Sequence, residues 1–225
     1  MFRAHASCLG CAGVVIGILL TGCGAGPAPI KVYEDDRNVI ALQFDSRAGA
    51  GHSHPVSLEP GHIATILSGI RLQGRDVIGG FGAFAGKETS PAFTPAESVF
   101  LASTLSQALK KASPKDLATF YLAGRDPGLG VLITSGGVFV RNNHLYLILA
   151  NARTSPLSVQ YENTFTPNMR DSPLMAIARF KFSVSFSPQE ALIANAQAKA
   201  QDQYEGYVDE SKMVVIDLKR LPSGH

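Results

Sequence analysis

Between Val138 and Ala150 the chain carries two apolar segments separated only by Asn142-Asn143. Asparagine tolerates the positive φ that a two-residue hairpin turn needs, so the pair predicts a tight β-hairpin. Side chains along a strand alternate between faces. Val138, Val140, Leu147 and Leu149 take one face, and Phe139, Tyr146 and Ile148 the other. Two apolar faces both need cover, which places this hairpin in the middle of a sheet.

The remaining pattern supplies neighbours for it. Strand material is read at Lys31–Tyr33 and Val39–Phe44, on either side of a polar Asp35-Asp36-Arg37 turn. Leu117–Leu122 follows, with Asp126-Pro127-Gly128 as a turn signal, then Val131–Thr134. Ser135-Gly136-Gly137 reads as a bulge or bend between that strand and Val138–Arg141. Phe180, Phe182, Val184 and Phe186 alternate with Arg179, Lys181, Ser183 and Ser185, the pattern of a half-buried strand. Met213–Leu218 is the last strand, and the polar stretch 151–173 reads as a long surface loop.

Three helices are expected. A short one follows Pro60, with Ile63, Ile66, Leu67 and Ile70 on one side and Gly69 at its end. Thr94-Pro95-Ala96-Glu97 is a capping box with proline at the first helical position, opening a helix to about Ala112. Ser187-Pro188-Gln189-Glu190 repeats that chemistry and predicts a second main helix to about Tyr204. The likeness of Phe93-Thr-Pro-x-Glu97 to Phe186-Ser-Pro-x-Glu190 is read as reuse of one helix start. The fold class is therefore α+β: a largely antiparallel sheet carrying two main helices and a third short one, in a single domain over 31–225.

Of the 225 residues, 45% are hydrophobic and 17% charged, which suits a globular core and not a disordered chain. The formal charge is +2, and no dense Lys/Arg cluster offers a nucleic-acid footprint. Residues Cys8 to Leu20 form an uncharged apolar run behind a short n-region holding Arg3. Its length is roughly 20 Å as a helix, too short to span a bilayer and suited to a signal peptide. Without Arg3 the chain holds 19 basic against 18 acidic residues.

The run closes on Leu20-Thr21-Gly22-Cys23. An apolar residue and two small ones before a cysteine resemble the lipobox of bacterial lipoprotein precursors. The small residues let the backbone thread a peptidase site, and the thiol forms the thioether with diacylglycerol. The resemblance implies cleavage of 1–22, a diacylglyceryl group on Cys23 and usually an acyl group on the new N-terminus. Residues 23–30 are then a lipidated tether, rich in Gly, Ala and Pro. Several acyl chains exceed what stable anchoring requires. Gly24 stands where some lipoproteins carry a retaining aspartate, so the resemblance favours an outer membrane, facing the periplasm. Cys8 and Cys11 lie in the removed segment, leaving no partner thiol for Cys23.

Candidate chemistry is sparse. His52-Ser53-His54, with Glu59 and His62 nearby, is the best metal candidate, since imidazole and carboxylate suit zinc. Gly51 and Pro55 frame a loop, however, and the simpler reading is solvated histidines. His144, beside the hairpin turn, reads as a turn or strand-surface residue. The glycine-rich stretch Gly79–Lys87 fails as a phosphate loop, because Phe81 and Glu88 stand where glycine and Ser or Thr are needed. Neither G-x-S-x-G nor S-x-x-K occurs beyond residue 23, and Asp35-Asp36 reads as an ordinary turn pair. The expectation is a membrane-anchored, non-enzymatic envelope lipoprotein without a cofactor, which binds other envelope proteins or supports an envelope or secretion assembly. The alternatives are a metal-binding protein or enzyme using His52, His54 and His62, or a small-molecule carrier.

Overall fold

Asn142 and Asn143 adopt φ of 52° and 63°, and the hairpin they turn lies inside the larger of two sheets. The computed structural model describes residues 27–74, 89–128, 130–156, 168–177, 182–193 and 212–221. In chain order the strands are β1 (Ile30–Glu34), β2 (Asn38–Phe44), β3 (Ile70–Gly74), β4 (Thr89–Pro91), β5 (Asp116–Asp126), β6 (Gly130–Arg141), β7 (His144–Thr154), β8 (Phe182–Phe186) and β9 (Met213–Asp217). The helices are α1 (Pro60–Gly69) and α2 (Pro95–Lys111). The larger sheet has the order β1-β2-β5-β6-β7-β9 and the smaller β4-β3-β8. Every pairing is antiparallel, so the chain has the α+β class and the antiparallel sheet that its pattern predicts.

The main core fills one face of the larger sheet. Ile40, Leu42, Phe120, Val138, Leu147 and Ile216 point into it from five strands. Ile63, Ile66 and Leu67 of α1 meet them, as do Leu101, Leu105 and Leu109 of α2. The predicted stripe of α1 is thus a buried one. Thr94 caps α2 as expected: its hydroxyl accepts from the Glu97 amide at 3.2 Å, and the Glu97 carboxylate accepts from the Thr94 amide at 2.7 Å. Gly69 ends α1 directly against β8. A Cβ there would collide with the Phe186 ring and the Ser187 carbonyl, so the helix-to-strand junction requires glycine.

Four expectations change. The segments Val131–Thr134 and Val138–Arg141 belong to one strand, β6, and Ser135-Gly136 is an irregularity of pairing inside it. The polar stretch read as a loop over 151–173 departs from that at its described ends: residues 151–154 extend β7, and Met169 packs on a cluster with Tyr121 and Ile133 outside the main core, while 157–167 lie outside the described residues. The helix expected from Ser187 begins as a 3-10 turn, Gln189–Ala191, without a side-chain cap. Leu192 and Ile193 are then extended: Leu192 bridges Ile216, and the Ile193 amide donates to Val215 at 3.0 Å. Hydrogen bonding to β9 outweighs a weak local helix signal there. The remainder of that expected helix, Phe180 and the Gly79–Lys87 stretch lie outside the described residues. The fourth concerns the histidines.

Candidate functional site

His52 and His54 are each only 5% exposed. The expectation of solvated loop histidines is therefore corrected. The reason lies in the backbone of residues 45–56, which runs as a strap over one end of the larger sheet. Amides of Asp45, His52, Ser53 and Val56 donate to carbonyls of Lys115, Pro114, Val140 and Leu109 at 2.7, 2.7, 2.8 and 3.0 Å. The β5–β6 ladder begins only at Ala118 opposite Val138, so Val140 has no hydrogen-bonded partner in β5, and the strap takes that place. Gly51 makes the bend with φ of 105°, where a side chain would crowd Pro114.

Within this frame the rings are fastened one by one. His52 Nε2 lies 2.9 Å from Asp45 Oδ2. A carboxylate accepts, so this nitrogen is the protonated one. The His52 ring packs on Phe139 at 4.3 Å between centroids, and Phe139 stacks on Tyr146 at 4.5 Å. The Val140 backbone N–H donates to His54 Nε2 at 3.1 Å. That nitrogen therefore carries no proton, and the neutral ring holds its proton on Nδ1. Ser53 points outward, and its hydroxyl accepts from the Asn142 amide at 3.1 Å. Arg141 Nη2 donates to the Ala48 carbonyl at 3.1 Å, pinning the strap's other end. The two imidazole centroids are 5.5 Å apart, and neither Nδ1 has a hydrogen-bond partner among the described residues.

Burial pushes the His54 pKa down to about 4, and the nearby His52 ring adds to that shift. Backbone groups of Ser113 and Asp116 and the Asp116 carboxylate oppose it without restoring the ordinary value. Loss of hydration disfavours the imidazolium more than these groups favour it.

The other expected residues are elsewhere. Glu59 and His62 are exposed, at the threshold and first turn of α1, so the four-residue set His52, His54, Glu59 and His62 is divided between interior and surface. Among the described residues no group of three or more His, Cys, Asp or Glu side chains is placed to hold a metal ion. His144 is a half-buried strand residue paired with Arg141 and Asp217. Asp35 closes the β1–β2 turn. Its carboxylate accepts from Tyr33 Oη and from the Arg37 and Asn38 amides, which hold it well below the ordinary carboxylate range. Asp36 offers its carbonyl to Arg170 at 2.7 Å. The Asp35-Asp36 pair is thus a turn device, as its sequence context implies. Cys23 lies outside the described residues.

Sequence reasoning missed Asp45 and Arg141 as partners of the strap. Their separation along the chain gave no periodic signal, and only the sheet brings residues 45–54 to Val140. No helix among the described residues is long and apolar enough to cross a membrane. No family model matches the chain, and neither characterised proteins nor solved structures yield a match.

Proposed function

We propose that this chain is an envelope lipoprotein, held at a membrane by lipid on Cys23, and that its domain acts by binding another envelope protein. The observation that carries the reading is Leu20-Thr21-Gly22-Cys23 at the close of an uncharged apolar run. A diacylglyceryl thioether and an added acyl group would hold such a chain stably. Strand β1 begins at Ile30, so the tether of seven residues reaches at most about 25 Å. The domain would then work close to its membrane, in the periplasm if that membrane is the outer one.

Support for a binding role comes from β1 itself. It is an outer strand of the larger sheet, paired with β2 on one side, and Ile30 is 63% exposed. An edge strand offers unpaired backbone groups to an extended partner segment. It also follows directly on the tether, within the tether's reach of the membrane.

Mass spectrometry of protein extracted from membranes tests the anchor. The expected N-terminal peptide begins at Cys23 and carries the mass of the acyl groups. The same chain started at Gly24 behind an ordinary cleavable signal should be folded and soluble. An unmodified Cys23, or a Gly24 form that still sediments with membranes at high salt, rules out lipid as the sole anchor. Crosslinking in the native envelope then identifies the bound protein.

A further inference from the structure

The strap at residues 45–56 is built so that its closed form is compatible with only one protonation state of His54. His54 Nε2 accepts from the Val140 N–H at 3.1 Å. A proton on Nε2 would set two donors against each other, so the charged ring and this hydrogen bond exclude one another. The ring is buried, and although backbone groups of Ser113 and Asp116 and the Asp116 carboxylate favour its charged form, none of them relieves the clash of donors at Nε2. Charging therefore requires the ring to leave Val140 and reach water.

We propose that residues 45–56 form an acid-released strap, in which protonation of His54 frees the 52–54 turn from the end of β6 and uncovers the Phe139–Tyr146 stack beneath His52. The site is distinct from the β1 edge and independent of the lipid anchor. Charged and titratable groups face it from each neighbouring element. Asp45 and His52 belong to the strap itself, and Asp45 orients His52 through the 2.9 Å hydrogen bond. Lys115 and Asp116 come from the approach to β5, with Lys115 Nζ donating to the Gly49 carbonyl at 2.6 Å. Arg141 of β6 lies 5.6 Å from the Phe139 centroid and holds the Ala48 carbonyl. Tyr146 of β7 is pushed up by burial and stays neutral through the acidic range.

The direction follows from linkage. Above the ordinary histidine value both closed and open straps hold a neutral ring, and the closed form is favoured. As pH falls below 6.5 an exposed ring takes up a proton, whereas the buried one resists until about pH 4. Between pH 7.5 and pH 5 this shifts the opening equilibrium about 30-fold toward the open strap.

Hydrogen exchange on the full chain reads the opening, with rates corrected for the chemical exchange rate at each pH. Protection of the 45–56 amides and of the Val140 amide should fall about 30-fold from pH 7.5 to pH 5. Amides inside α2 should keep theirs. In His54→Gln the side-chain oxygen can accept from Val140 and does not titrate, so strap protection should become independent of pH. Wild-type protection that is equal at both pH values overturns the proposal, as does a His54→Gln strap that still opens in acid. Should His54→Gln fail to fold, nitrogen chemical shifts of the wild-type His54 ring decide. Charging in step with loss of strap protection carries the proposal, and charging with the strap still protected ends it.

Discussion

Asn151 of β7 and Ser135 of β6 are joined side chain to side chain, Nδ2 to Oγ at 2.8 Å, where the two strands lose regular register. Both residues are buried, and together they hold the segment that covers the sheet behind them. Asn151 donates to the Met175 carbonyl at 2.8 Å and accepts from the Ile177 amide at 2.8 Å. Ser135 donates to the Pro173 carbonyl at 2.7 Å. The Ser135-Gly136-Gly137 stretch is thereby committed to structure.

Asn151→Ala should cost about 2 kcal/mol, because it leaves the buried Ile177 amide without its acceptor and the buried Ser135 hydroxyl without its donor. Ser135→Ala, which removes the donor to Pro173 and the acceptor for Asn151, should cost a similar amount, about 2 kcal/mol. Urea unfolding monitored by circular dichroism measures both. A loss below about 0.5 kcal/mol for Asn151→Ala would mean that residues 173–177 are not held this way.

Gly136 tests the same irregular stretch from the backbone side. A Cβ there would meet the Ile148 carbonyl of β7 and come within 2.9 Å of the Phe120 ring. Strand pairing leaves that carbonyl little room to retreat. Gly136→Ala should therefore cost roughly 3 kcal/mol through overpacking, whereas Gly61→Ala, at a site with no neighbour within 4 Å, should be tolerated. Equal melting temperatures for the two variants would contradict the close approach of β6 and β7.

The start of α2 separates a local effect from a global one. Thr94→Ala loses the hydroxyl that accepts from Glu97 and should cost about 1 kcal/mol. Leu105 is fully buried in the main core, and Leu105→Asp places an unpaired charge there. The first variant should remain folded with a modestly lower melting temperature, and the second should not fold. A folded Leu105→Asp of unchanged stability would refute the core assignment.

Global stability should also depend on pH through His54. Its folded value, about 4, lies below the ordinary 6.5, so the unfolded chain binds the proton first. The stability due to the neutral buried ring is complete above pH 6.5, declines as pH falls toward 4, and changes no further below that. Discounted for partial solvent screening, the loss is on the order of 2 kcal/mol. Urea titrations from pH 7.5 to 4 should show it in the wild type and lack it in His54→Gln. A wild-type curve that is flat over this window would place His54 in water.

What the sequence determined by itself lies in short-range chemistry. The Asn142-Asn143 turn, the apolar faces on either side of it, the Thr94–Glu97 capping box and the stripe of α1 each arise from residues within a few positions of one another. The antiparallel α+β class follows from their order along the chain. The Cys23 motif is equally local, which is why it can be read without a fold and why its test is chemical. Tertiary structure decided the rest. Gln189–Ile193 carries the letters of a helix start but is drawn out against β9, because the edge of a sheet offers backbone partners that a weak cap cannot match. His52 and His54 have the composition of a solvated loop. They are buried because the strap, and not β5, hydrogen-bonds Val140, and that is visible only once β5, β6 and the strap lie side by side.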